Sequence, residues 1–220
     1  MKKQSDLRKT VSIVLNGVIV CFAVIGTVIM LTHKGDGKSL SSSGAENLKY
    51  FTVLSNELCG ITSLLWLIFT ALGKKLPVLL KLMSASAVAL TFFIVAAFLA
   101  PMYPKLDLYE NANLWFHLIL PLTGMAEFIL LKDHEKIPIR FAVISGLPAL
   151  IYGIGYLVNI LINGIGVWPD TNDWYGFLNW GYPVGMVIFA VIVLMDFGMA
   201  ALLRALNNLI SGKESARDAA

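Results

Sequence analysis

The stretch VSIVLNGVIVCFAVIGTVIMLT, residues 11–32, runs for 22 residues without a charged side chain. As an α-helix it is about 33 Å long, matching a bilayer hydrocarbon core of about 30 Å. A helix is also the conformation in which such a run satisfies its own backbone N–H and C=O groups inside lipid. Lys2, Lys3, Arg8 and Lys9 precede it, as they would a signal peptide. However, a signal core spans roughly 7–15 residues, and no small-x-small cleavage pattern closes this run. The expectation is a retained first helix.

Five further runs of comparable length follow, at about 48–73, 77–101, 113–132, 138–162 and 180–206. Barrel strands would alternate in hydropathy over about 10 residues, and these runs are continuously apolar. The predicted fold is all-α: one domain over residues 1–220, a polytopic bundle of six transmembrane helices. Composition agrees. The chain is 57% hydrophobic and 14% charged, against roughly 45–50% and about 25% for soluble domains.

Thirteen of the 17 Lys and Arg residues fall on one side of this topology, among them Lys74, Lys75, Lys81, Lys132, Lys136, Arg140 and Arg204. Lys34, Lys38, Lys49 and Lys105 fall on the other. The positive-inside bias predicts cytoplasmic termini and a multi-pass protein of the cell membrane. The net charge of +3 is spread over the gaps between helices, so it predicts no nucleic-acid partner. Cys21 and Cys59 lie within apolar runs and read as packed free thiols. His33, His117 and His134 fall on different sides and form no metal constellation, and no cofactor motif is present.

Polar residues inside apolar runs mark the bundle interior, because an unpartnered polar group in hydrocarbon is costly. Thr52, Ser55, Asn56, Cys59 and Ser63 recur at spacings of three and four, on one face of the second helix. That stripe serves either close packing or a site. The fourth helix carries His117, with Pro121 four residues on; the proline cannot donate to the His117 carbonyl. Tyr152, Tyr156, Asn159 and Asn163 lie on a similar face of the fifth helix. With alternating helix directions, Thr52, His117, Asn159 and Asn163 share one depth in the outer leaflet. Glu57, Glu127 and Asp196 are intramembrane ionisable groups and so functional candidates. Lys132 and Arg204 are the expected partners of Glu127 and Asp196. Trp168, Trp174, Tyr175, Trp180 and Tyr182 crowd the last outer loop, as an interfacial belt or as a lid. Gly181 and Gly185 form a small-x-x-x-small pair that suits intramolecular packing as well as dimerisation.

Three stretches then stand out: Tyr50-Phe-Thr52-Val-Leu-Ser55-Asn56, Trp115-Phe-His117-Leu-Ile-Leu-Pro121 and Asp173-Trp-Tyr-Gly-Phe177-Leu-Asn179. In this order they resemble the signatures of the androgen-induced and androgen-dependent transmembrane hydrolases and their bacterial integral membrane relatives. Gly176 stands where many members have Pro, and Glu127 where bacterial members often have Asp. The resemblance implies a six-helix membrane threonine hydrolase of fatty acid esters of hydroxy fatty acids, with Thr52 as nucleophile and His117 as catalytic partner. The expected partners are membrane lipids and a lipid-like ester. Ser55, Asn56, Asn159, Asn163 and Tyr182 are candidates for substrate binding, with Asn56 or Asn159 as oxyanion donor. Other readings of the same residues are an acyltransferase using the same pair and a non-enzymatic carrier or sensor of lipids or small molecules.

Overall fold

The computed structural model describes residues 2–32, 44–131, 136–167 and 170–218. His33, Lys34, Lys38, Lys132, His134 and Trp168 lie outside the described residues. Six helices are long and apolar enough to cross a membrane, and no strand occurs among the described residues. They are α1 (Lys2–Thr32), α2 (Phe51–Ala71), α3 (Val78–Met102), α4 (Asn111–Leu130), α5 (Ile139–Asn163) and α6 (Tyr182–Asp218). A 3-10 turn, Gly44–Lys49, leads into α2. The bounds follow the apolar runs, with two clear differences: α1 begins at Lys2, nine residues ahead of its run, and α6 runs on to Asp218. α6 continues well past residue 206, because Arg204, Asn207 and Asn208 give its polar extension partners on the α4–α5 connection. Asn207 Nδ2 donates to the carbonyls of Phe128 and Leu131 at the end of α4, at 2.8 Å each. Asn208 brackets Ile137, accepting from its N–H at 2.8 Å and donating to its C=O at 3.0 Å.

α3 lies at the centre, packed against α2, α4, α5 and α6. Its buried run Ser84-Ala-Ser-Ala-Val-Ala-Leu90 is built mostly of small side chains, which lets neighbouring backbones approach closely. One apolar cluster joins Leu82, Ala85, Ala89, Phe128, Ala142, Ala200 and Leu203 from α3 to α6. A second joins Ile19, Ala23, Cys59, Val88 and Leu120 from α1 to α4. Cys21 and Cys59 are both free thiols. A Cβ added at Gly185 would clash with Leu178 Cδ2 and lie 2.9 Å from the Phe177 carbonyl. This glycine therefore seats α6 against its own preceding loop.

Three helices depart from regular geometry, each next to a proline. α3 contains a π-turn at Val95–Leu99 and α4 one at Trp115–Ile119. Each ends on an i→i+5 bond, Ala100 N–H to Val95 C=O and Leu120 N–H to Trp115 C=O. The next donors in that register would be Pro101 and Pro121, which have no N–H. α5 breaks at Ser145–Gly146, two residues before Pro148.

Charge is buried at the end of the bundle opposite Thr52. Lys81 Nζ sits 2.6 Å from Glu127 Oε2, with both side chains almost fully enclosed. Asn16 completes the arrangement, accepting from Lys81 Nζ at 2.7 Å and donating to Glu127 Oε1 at 2.7 Å. Ser12 Oγ adds a donor to the same oxygen at 3.0 Å. The expected inner-end pairings are thus replaced. Glu127 takes a lysine from α3, since α3 packs on α4 and brings Lys81 inside. Arg204 Nε donates to the Ile137 carbonyl at 2.8 Å instead of pairing with Asp196. Lys81 accordingly leaves the count of loop charges, and the bias of twelve against four still holds.

Breaking a buried pair by removing one partner costs about 3–5 kcal/mol, whereas an apolar replacement of both is often neutral. Lys81→Met should therefore lower the thermal unfolding midpoint of the purified protein strongly. Lys81→Met/Glu127→Met should recover most of that loss.

Candidate functional site

α2 begins at Phe51, so Thr52 occupies its first turn. The first N–H groups of a helix have no intrahelical partner. Phe51 N–H is met by the Tyr175 hydroxyl at 2.8 Å. Among the described residues the Thr52 N–H and the Thr52 hydroxyl have no partner. The Thr52 side chain is half-buried. It therefore offers a free hydroxyl beside a free amide at the positive end of a helix.

His117 lies within the π-turn of α4 and is buried. Its Nδ1 is 2.6 Å from the Leu108 carbonyl in the α3–α4 loop. A carbonyl only accepts, so Nδ1 carries the proton and Nε2 presents its lone pair. Nε2 has no hydrogen-bond partner among the described residues.

Asn56 ties these two segments together. Its Nδ2 donates to the Thr52 carbonyl at 2.7 Å and to the Phe116 carbonyl at 2.9 Å. The second bond is the physical consequence of Pro121. In the π-turn register the carbonyl that loses its N–H partner belongs to Phe116, one residue earlier than regular α geometry predicts for His117. Both amide protons of Asn56 are committed, which removes it as an oxyanion donor. Its Oδ1 is enclosed and receives no hydrogen bond. The Thr52 hydroxyl and the His117 ring form no hydrogen bond with each other, although α2 packs on the π-turn that carries His117.

The remaining candidates have other tasks. Ser55 Oγ lies 2.9 Å from Thr91 Oγ1 and joins α2 to α3. Asn159 Nδ2 donates to Asn172 Oδ1 at 3.1 Å, and exposed Asn163 donates to Asn159 Oδ1 at 2.9 Å. This pair organises the loop after α5. Tyr182 is exposed at the start of α6 and joins no cluster at the site. Glu57 accepts from Thr27 of α1.

The aromatic loop is a roof over the start of α2. Tyr152 donates to the Lys49 carbonyl at 2.7 Å, and Trp174 Nε1 donates to Tyr152 at 3.1 Å. The rings of Tyr50, Tyr152, Tyr156, Trp174, Tyr175 and Phe177 pack on one another. Burial holds the Tyr175 phenol well above its ordinary pKa, so it stays protonated. Asp173 anchors the roof. Its carboxylate accepts from Tyr156, from Phe177 N–H at 2.9 Å and from Leu178 N–H at 2.9 Å. The signal for this anchor was the turn chemistry of Asp followed by Gly176, because an Asp side chain readily accepts from backbone N–H groups a few residues on.

The fold and this roofed polar cluster define a six-helix membrane protein with a potential site at one end of its bundle. Compared with protein-family models, with curated proteins and with solved structures, the chain matches none.

Asn56→Leu keeps the size of the side chain and removes both donors. It should destabilise the protein by about 1–3 kcal/mol, the cost of leaving a buried acceptor unmet, and more than Asn56→Asp, whose buried carboxyl takes the protonated form and keeps one donor. Thermal unfolding of the purified variants measures this.

Proposed function

We propose that this protein is an intramembrane hydrolase that cleaves a lipid-like ester of the fatty acid ester class, with Thr52 as nucleophile and His117 as base. The observation that carries this reading is the Asn56 bridge between two reactive positions. It links a helix-start threonine with a free hydroxyl to a histidine whose tautomer leaves Nε2 available. The resemblance of the Thr52, His117 and Asp173 stretches to the androgen-induced and androgen-dependent transmembrane hydrolases supports the same reading. So does the aromatic roof, which suits a substrate entering from lipid with its ester near the membrane surface. The positive-inside bias orients the roof outward and the termini toward the cytoplasm, in the cell membrane.

In this mechanism the Thr52 oxygen attacks the ester carbonyl carbon as Nε2 of His117 takes its proton. The carbonyl becomes an oxyanion, and the free Thr52 N–H at the start of α2 is a donor of the right polarity for it. Collapse releases the alcohol with the proton from His117 and leaves an acyl-threonine. Water then attacks, His117 takes its proton, and the fatty acid departs as the Thr52 hydroxyl is restored. Substrate entry must bring the Thr52 hydroxyl and Nε2 within reach, as catalytic hydrogen bonds often tighten only in the complex.

A carrier or sensor is the second reading. The partner of His117 is a backbone carbonyl, not a carboxylate, and the enclosed Asn56 Oδ1 is an acceptor suited to a ligand hydroxyl. Hydrolysis of long-chain fatty acid esters in proteoliposomes separates the two. Thr52→Ala and His117→Ala should each lower kcat by about a thousandfold or more while unfolding near the wild-type temperature. Full activity in either variant overturns the assignment, and ester binding without turnover in the wild type favours the carrier.

A further inference from the structure

Asp196, in the middle of α6, is fully buried, and neither of its carboxylate oxygens receives a hydrogen bond. No cationic side chain pairs with it among the described residues. The Glu127 carboxylate, by contrast, has a lysine, an asparagine and a serine around it. A bare carboxylate in a lipid-embedded interior is too costly to persist without compensation.

The surroundings of Asp196 are rich in oxygen. Ser86 of α3, also fully buried, is its polar neighbour. Ser86 Oγ donates to the Met83 carbonyl at 3.1 Å and lies 3.5 Å from the Ser145 carbonyl, which ties it to the break in α5. Ser145 is fully buried at the break in α5, and its hydroxyl donates to the Phe141 carbonyl at 2.7 Å. α5 meets α6 closely here, since a Cβ added at Gly146 would lie 3.9 Å from the Val193 carbonyl, less than one turn before Asp196. Pro148 has no N–H for the Ile144 carbonyl, and the Ser145 carbonyl receives no backbone N–H among the described residues. The break therefore leaves carbonyl oxygens without backbone donors where α5 meets both α6 and the Ser86 hydroxyl of a third helix.

We propose that Asp196, Ser86 and the carbonyls of the α5 break form a buried site for a small monovalent cation of the sodium type. Hard cations take carboxylate, hydroxyl and carbonyl oxygens. Broken membrane helices present such carbonyls to bound Na⁺ or H⁺. A proton satisfies one carboxyl oxygen and leaves the other bare, whereas a cation draws on both and on the freed carbonyls. The site lies on α3, α5 and α6 and involves none of the residues assigned to ester cleavage.

The test compares the full-length protein in detergent in NaCl and in choline chloride at equal ionic strength. Sodium should raise the unfolding midpoint by several degrees in a saturable way, and the protein should retain radioactive Na⁺ on a desalting column. Asp196→Asn should lose both effects. Ser86→Ala should shift the sodium titration about tenfold toward higher concentration, which provides a second readout if Asp196→Asn folds poorly. A wild-type protein whose midpoint responds to pH but not to sodium and that retains no Na⁺ overturns the proposal, because the acid then holds a proton. Retention of the sodium effect in both variants overturns it equally.

Discussion

Asn56 donates to a carbonyl that the backbone of another helix cannot satisfy. Pro121 removes an N–H from α4, the π-turn transfers the loss to Phe116, and the Asn56 carboxamide on α2 meets it at 2.9 Å. Within lipid such a donor has to come from protein. The same side chain holds the Thr52 carbonyl at 2.7 Å. The register of α2 against α4 is thereby set by a hydrogen bond that neither helix can forgo, and the positions of Thr52 and His117 follow from it. Everything built above, the roof from Asp173 and the tautomer imposed by Leu108, is placed on that join.

The two ends of the bundle handle polarity differently. At one end, Lys81, Glu127, Asn16 and Ser12 satisfy one another across α1, α3 and α4. That arrangement is closed, and it reads as structural. At the other end, the Thr52 hydroxyl, the Thr52 N–H and Nε2 of His117 have no partner among the described residues. The free Thr52 groups at the start of α2 and Nε2 in the π-turn of α4 are the donors and acceptor on which the proposed chemistry draws.

Much of the fold was legible in the sequence because lipid imposes a simple rule: long uncharged runs become helices, and polar residues at spacings of three and four face inward. In the stripe, Ser55, Asn56, Cys59 and Ser63 are buried as that rule requires, while Thr52 at the helix start is half-buried. Details that depend on which helices touch were not legible. Lys81 reads as a loop charge until α3 places it beside Glu127. Pro121 points to His117 under α geometry, and only the π-turn moves the orphan carbonyl to Phe116. Asn159 and Asn163 read as sharing a depth with Thr52, yet their amides serve the loop after α5, because a shared depth does not specify a shared partner. The role of Asp173 required knowing that Tyr156 lies beneath it.

The account centres on a threonine made nucleophilic by a histidine from another helix. Reaction of the membrane-embedded protein with a long-chain fluorophosphonate, followed by mass spectrometry of its peptides, tests that most directly. The account predicts a phosphonyl adduct on Thr52 that is lost in His117→Ala. An unmodified Thr52 in a preparation that binds the ester saturably, or an adduct that forms equally without His117, would contradict it.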